Sequence, residues 1–154
     1  MKVERDYEDL LGSLNKHKVR YCIVGAYAVA FYGYPRYTKD MDILVEPTLE
    51  NAKRVVEALK AFGFGSLKLT AEDFIREGNI IQLGYEPVRV DILTSITGVS
   101  FKDLWKEKRA GKYGRQRVFF IGKDALVRNK KLSARKQDLA DLDALKSYEN
   151  APSK

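Results

Sequence analysis

Residues 23–45, IVGAYAVAFYGYPRYTKDMDILV, decide the fold. Arg20-Tyr21-Cys22-Ile23-Val24 leads into them as a short apolar run rich in strand formers, which predicts a buried strand. Gly25 ends that strand. AYAVAFY (26–32) then predicts a helix of small and aromatic residues, broken by Gly33 and Pro35. Met41-Asp42-Ile43-Leu44-Val45 predicts a second strand, stopped by Pro47.

Asp40 and Asp42 flank Met41 where that second strand begins. Side chains alternate along a strand, so residues i and i+2 share a face. Two carboxylates side by side repel, and burial raises their proton affinity further. A divalent cation resolves the conflict. Mg²⁺ or Mn²⁺ suits a pair of carboxylates completed by substrate phosphates. A solvated turn before a strand is the plainer reading of the pair. Context argues for more. The junction at Gly25-Ala26 presents backbone N–H groups at a helix start, which suits phosphate, and its small residues permit close approach. Arg36 and Lys39 lie just before the acids, where they either meet triphosphate oxygens or belong to a solvated loop. Thr38 between them joins the same nucleotide-binding group, or bonds locally. A third acid, Asp91, sits in the apolar strand VRVDIL (88–93), where an unpaired charge is unfavourable. It either completes a metal site with Asp40 and Asp42 or pairs with an arginine such as Arg89 or Arg36.

The remaining pattern surrounds these strands with helices. Val3, Tyr7, Leu10, Leu11 and Leu14 recur at helical spacing over 2–16. Thr48 caps a helix over 49–61, with Gly63 at its end. Thr70 with Asp73 opens a short helical turn. Ile80–Leu83 and Val88–Leu93 form a hairpin. Ser100 caps a helix bearing Phe101, Leu104 and Trp105. KEKRAGKYGRQR (106–117) reads as a basic, glycine-broken loop, and Val118–Ile121 as a fifth strand. Helices follow over 123–131 and 134–148. The expectation is one α+β domain over 1–150, a mixed sheet of about five strands flanked by helices, with a frayed tail at 151–154.

The chain has 154 residues, 45% hydrophobic and 32% charged, enough to bury a core and unlike a disordered chain. No run approaches a membrane span, and the N-terminus has no signal-peptide core, so the expected setting is cytoplasmic, without a membrane partner. A single cysteine, Cys22, excludes an internal disulfide and a multi-cysteine zinc site. Within a strand, it reads as a small hydrophobe. The lone His17 follows the first helix and reads as a helix-end residue. Net charge is +7, and residues 102–136 alone hold 13 Lys+Arg against 3 Asp+Glu. A polyanionic partner is implied, a nucleotide or a nucleic acid. Lys112, Arg115 and Arg117 in the basic loop, with Lys130, Lys131 and Arg135 beyond it, are the candidate RNA contacts, unless they form a solvated face. Tyr113 and Trp105 beside them are candidates to stack on a base, although Trp105 shares an apolar helix face with Phe101 and Leu104.

Val24-Gly25-Ala26 followed by Asp40-Met41-Asp42-Ile43 resembles the signature of the polymerase-β-type nucleotidyltransferase superfamily. The similarity is closest to its small prokaryotic branch, which includes minimal nucleotidyltransferases and the toxins of type IV toxin–antitoxin systems. Gly33-Tyr34-Pro35-Arg36-Tyr37-Thr38 resembles an aromatic-Pro-Arg-x-Thr stretch of that branch. Asp91 matches its third carboxylate. Lys130, Lys131, Arg135, Lys136, Asp138 and Asp141 resemble its Lys…Arg-x-Lys-Asp-x-x-Asp helix. The resemblance spans roughly residues 18–147. It implies transfer of a nucleoside monophosphate from an NTP to a hydroxyl of tRNA, another RNA, a protein or a small molecule. Asp40 and Asp42 would hold Mg²⁺, and Asp91 would help deprotonate the acceptor. Ala26 stands where the family has Gly or Ser, which implies altered phosphate handling. It leaves open a member that binds nucleotide or RNA without turnover, or one that acts through a protein partner such as a cognate antitoxin.

Overall fold

A computed structural model describes residues 3–33, 40–85 and 88–149. The elements follow in the order α1 (Arg5–Lys16), β1 (Tyr21–Val24), α2 (Gly25–Phe31), β2 (Asp40–Val45), α3 (Leu49–Leu59), β3 (Ile80–Tyr85), β4 (Val88–Leu93), α4 (Phe101–Glu107), β5 (Arg109–Tyr113), β6 (Gln116–Phe120), α5 (Lys123–Ser133) and α6 (Lys136–Glu149). The strands form one mixed sheet in the order β3-β4-β2-β1-β6-β5. The centre is β2, antiparallel to β1 and parallel to β4. β1 also runs parallel to β6. Among the described residues no helix is long and apolar enough to cross a membrane.

The pleat of β2 separates core from site. Met41, Ile43 and Val45 point one way and are wholly buried. Asp40, Asp42 and Leu44 point the other. On the first face, α1 buries Tyr7, Leu10, Leu11 and Leu14. Each such leucine contributes about 1.5–3 kcal/mol relative to exposure. Ser13 Oγ donates to Ala58 O (2.7 Å), tying α1 to α3, and Tyr21 Oη donates to Asn15 Oδ1 (2.9 Å), tying α1 to β1. Asn51 in α3 is buried but satisfied. It accepts from Arg20 N and donates to Arg20 O and Glu46 O, which anchors α3 to the ends of β1 and β2. Thr48 caps α3 through Asn51 N, and Ser100 caps α4 through Asp103 N, both as expected.

The sheet has six strands rather than about five. The basic segment 106–117 contains β5, paired antiparallel to β6 from Arg109↔Phe120 to Tyr113↔Gln116. Apolar periodicity could not reveal it, because β5 is an edge strand in which Arg109, Ala110 and Lys112 are exposed and only Tyr113 is buried. Gly111 makes the close packing possible: a Cβ there would press on the rings of Phe31 and Phe120, which stack with centroids 4.1 Å apart. Tyr113 is buried with Tyr7 and Tyr27 in a cluster of edge-to-face rings. It is therefore core and not a base-stacking surface. Trp105 packs against Phe101 and Phe119, with Lys108 Nζ over its ring at 4.0 Å.

Candidate active site

The site begins where β1 ends. Val24 faces Asp42 across the antiparallel ladder, and Gly25 at once starts α2 with φ +67°. Two demands meet at Gly25. Its backbone lies in the left-handed region, and a Cβ would run into the Asp42 carboxylate. Ala26 follows, nearly buried, on the wall of the same cavity.

Parallel pairing of β2 with β4 then sets Asp40 against Arg89 and Asp42 against Asp91. The three acids expected to act together thus share one face of two neighbouring strands. Burial pushes the Asp42 carboxyl up to about 6; Asp91 and Asp40 add like-charge repulsion, while Lys130 and Arg135 pull it back down. Asp91 is raised too, by burial and by Asp40, against the pull of Arg89. Arg89 supplies the local positive charge. Its Nη2 donates to Asp40 Oδ2 at 2.8 Å, and its Nε lies 3.8 Å from Asp91 Oδ1. Both readings of Asp91 meet here: it sits with the other two acids, and its ion-pair partner is Arg89.

The donor set, carboxylate oxygens on adjacent strands, has the chemistry a hard divalent cation takes. Among the described residues, however, no three His, Cys, Asp or Glu side chains close on one point as a metal cluster. The Arg89 guanidinium stands between Asp40 and Asp91 in the role of a cation.

Asp40 and Asp42, but not Asp91 or Arg89, line a cavity of about 600 Å³. Gly25, Ala26, Asp40 and Asp42 line one side, and Lys130 with Arg135 lines another. Lys130 is nearly buried, with Nζ 3.1 Å from Asp138 Oδ1 and 3.0 Å from Asp141 Oδ2. Arg135 donates from Nε to Asp138 Oδ2 at 2.8 Å. Burial alone would raise Asp138; the hydrogen bonds from Arg135 and Lys130 outweigh it and hold the carboxyl below its usual range. Lys130 is therefore not an outward RNA contact. It is an internal cation of the α5–α6 pair, at the edge of the cavity. Asn129 donates to Thr97 O (2.9 Å) and Arg128 to Gly98 O (3.3 Å), joining α5 to the loop after β4.

The other expected residues fall elsewhere. Lys112, Arg115 and Arg117 are exposed on the β5–β6 hairpin, and Lys131 is exposed on α5; none lines the cavity. Arg36, Thr38 and Lys39, with most of the Gly33–Thr38 stretch, lie outside the described residues. His17 ends α1 with Nδ1 2.9 Å from Ser13 O, and Cys22 is buried with its thiol pushed up to about 12 by burial, as a packing residue should be. Four cavity residues, Ser95, Thr97, Asn129 and Gln137, carry no local signal that sets them apart. Only the packing of α5 and α6 brings them to the site.

No protein-family profile matches the sequence, and no curated protein is significantly similar to it. Among the solved structures similar in fold are three that are each 15% identical. A candidate nucleotidyltransferase from Thermotoga maritima covers 95% of this chain and 91% of its own, with a TM-score of 0.59. The lincosamide antibiotic adenylyltransferase LnuA, solved with lincomycin bound, covers 94% and 97%, with a TM-score of 0.56. An antigenic nucleotidyltransferase-like protein from Paracoccidioides brasiliensis covers 94% and 75%, with a TM-score of 0.58. The paired acids of β2, the third acid of β4 and the glycine turn before α2 are carried on the fold these structures share, and that fold is nucleotidyltransferase-like.

Proposed function

We propose that the chain transfers a nucleoside monophosphate from an NTP to a hydroxyl acceptor. The observation that carries this reading is the β2–β4 register, with Asp40, Asp42 and Asp91 on one face of the two strands and Asp40 and Asp42 lining the cavity beside Gly25 and Ala26. In the reaction the acceptor oxygen forms a bond to the α-phosphorus. The bond from that phosphorus to the β-phosphate oxygen breaks, and pyrophosphate leaves. Asp91, held above the usual carboxylate range by burial and by Asp40, is suited to take the acceptor proton. Gly25 and Ala26 give the phosphates a wall without bulk, and Arg36, Thr38 and Lys39 complete the nucleotide contacts. Mg²⁺ or Mn²⁺ on Asp40, Asp42 and Asp91 would neutralise charge on the phosphate oxygens.

LnuA is by name an adenylyltransferase of an antibiotic, which supports a small-molecule acceptor. The exposed Lys112, Arg115 and Arg117 support an RNA acceptor instead. Ala26 favours a second reading, in which the fold binds nucleotide, RNA or an antitoxin-like protein without turnover. The deciding experiment incubates the protein with each α-labelled NTP, Mg²⁺ and separate pools of tRNA, protein and small hydroxyl compounds. Label carried into one pool by the parent, and lost in Asp42→Asn, supports transfer. No label in any pool, with NTP still bound, leaves the binding reading.

A further inference from the structure

Arg89 has an unusual position for a basic residue. Its backbone is pinned by one phenol: Tyr7 Oη donates to Arg89 O (2.9 Å) and accepts from Arg89 N (3.2 Å). Tyr7 is itself locked in the ring cluster with Tyr27 and Tyr113. The side chain is therefore delivered to the acids from a rigid base. It makes one good hydrogen bond, to Asp40, and stops short of the other acid. Arg89 Nε and Asp91 Oδ1 are both buried, 3.8 Å apart, and neither has a hydrogen-bond partner among the described residues. A guanidinium can give two parallel bonds to a carboxylate. Here it is spread between two carboxylates and leaves polar atoms of both itself and Asp91 unsatisfied, an arrangement of low net stability.

We propose that Arg89 is an internal counter-cation of the acid cluster, which a divalent cation must displace from Asp40 and Asp91 in order to bind. This rests on the reading of Asp40, Asp42 and Asp91 as the metal site. The chemistry is competition between two cations for the same oxygens. Without metal, Arg89 offsets the repulsion among three carboxylates; with metal, the guanidinium leaves that position and the oxygens turn to the ion. Arg89 then sets how much free metal the site needs, acting through Asp40 and Asp91 rather than on the reacting atoms.

The test is direct Mn²⁺ binding by calorimetry on the full chain, for the parent, Arg89→Met and Arg89→Lys, with folding checked by near-ultraviolet circular dichroism. Removing the competitor should tighten Mn²⁺ binding at least tenfold in Arg89→Met. Arg89→Lys keeps the charge but not the fork, and should lie between. A second measurement needs no variant: the Arg89 Nε–Hε nuclear magnetic resonance signal of the parent should shift as Mg²⁺ is added and saturate at the same concentration as binding. Equal or weaker Mn²⁺ binding in Arg89→Met, or a signal that stays fixed at Mg²⁺ saturation, overturns the competition and leaves the metal site standing. No Mn²⁺ binding by parent or variant, with or without a non-hydrolysable NTP, overturns the metal site and this role together.

Discussion

Gly25 and Asp42 stand so close across the β1–β2 ladder that one added methyl at Gly25 would overlap the Asp42 carboxylate. The glycine that turns the chain into α2 is thus also the space that the second acid occupies. Backbone and chemistry are coupled at one point. Gly25→Ala should cost about 1–3 kcal/mol from the left-handed backbone alone. It should also abolish any rise in melting temperature on adding Mg²⁺ and NTP, because Asp42 is pushed aside. Thermal melts with and without both ligands check this; an unchanged ligand-induced rise would separate the turn from the site.

Asp42 gives the metal-free protein a pH signature. Its folded pKa, about 6, lies above the ordinary carboxylate value of 3.8. The folded state then holds more protons than the unfolded one between these values, so stability falls as pH rises through that window. A shift of this size corresponds to roughly 3 kcal/mol at most. Asp42→Asn should remove that part of the slope and be more stable than the parent at pH 7 without metal. Urea unfolding at pH 4 and pH 7 measures it; equal slopes would mean that Asp42 titrates normally.

Lys130 distinguishes an internal ion pair from an RNA contact. Its removal leaves Asp138 and Asp141 buried with less positive charge beside them. Lys130→Met should destabilise the fold by about 3–5 kcal/mol. Chemical denaturation reads this directly. A loss of RNA affinity with full stability would instead return Lys130 to the surface role.

The exposed cations of the hairpin should behave in the opposite way. Replacing Lys112, Arg115 and Arg117 by Ala should leave NTP binding unchanged, since none lines the cavity. If RNA is the acceptor, the slope of log affinity against log salt should fall by about 2–3, nearly one for each phosphate that these side chains neutralise. Filter binding at several salt concentrations tests this, and an unaltered slope places RNA elsewhere.

Asp91 carries the chemical prediction. Asp91→Asn keeps size and shape but removes the proposed proton acceptor. Transfer should fall by about 10²-fold or more, with NTP affinity little changed, because the base acts on the acceptor in the transition state. Single-turnover kinetics beside equilibrium NTP binding separates the two. A parallel loss of both would make Asp91 a binding residue.

The local rules were enough for much of this molecule. Period-two alternation in DMDILV placed Asp40 and Asp42 on one face and Met41 and Ile43 on the other, because a strand allows no alternative. Helical spacing found α1, and the side chains of Thr48 and Ser100 marked two helix starts. These are interactions within a few residues, and sequence order carries them. Four features were settled only by tertiary structure. β5 has little apolar patterning and exists because β6 offers it a ladder. Tyr113 went into the core because α1 and α2 brought Tyr7 and Tyr27 to meet it. Lys130 turned inward because α6 set Asp138 and Asp141 behind it. Arg89 came to stand between Asp40 and Asp91 because β4 pairs with β2 in parallel, although Arg89 and Asp40 lie 49 residues apart in the chain. Register between distant strands depends on how the whole sheet packs, and no local spacing encodes it.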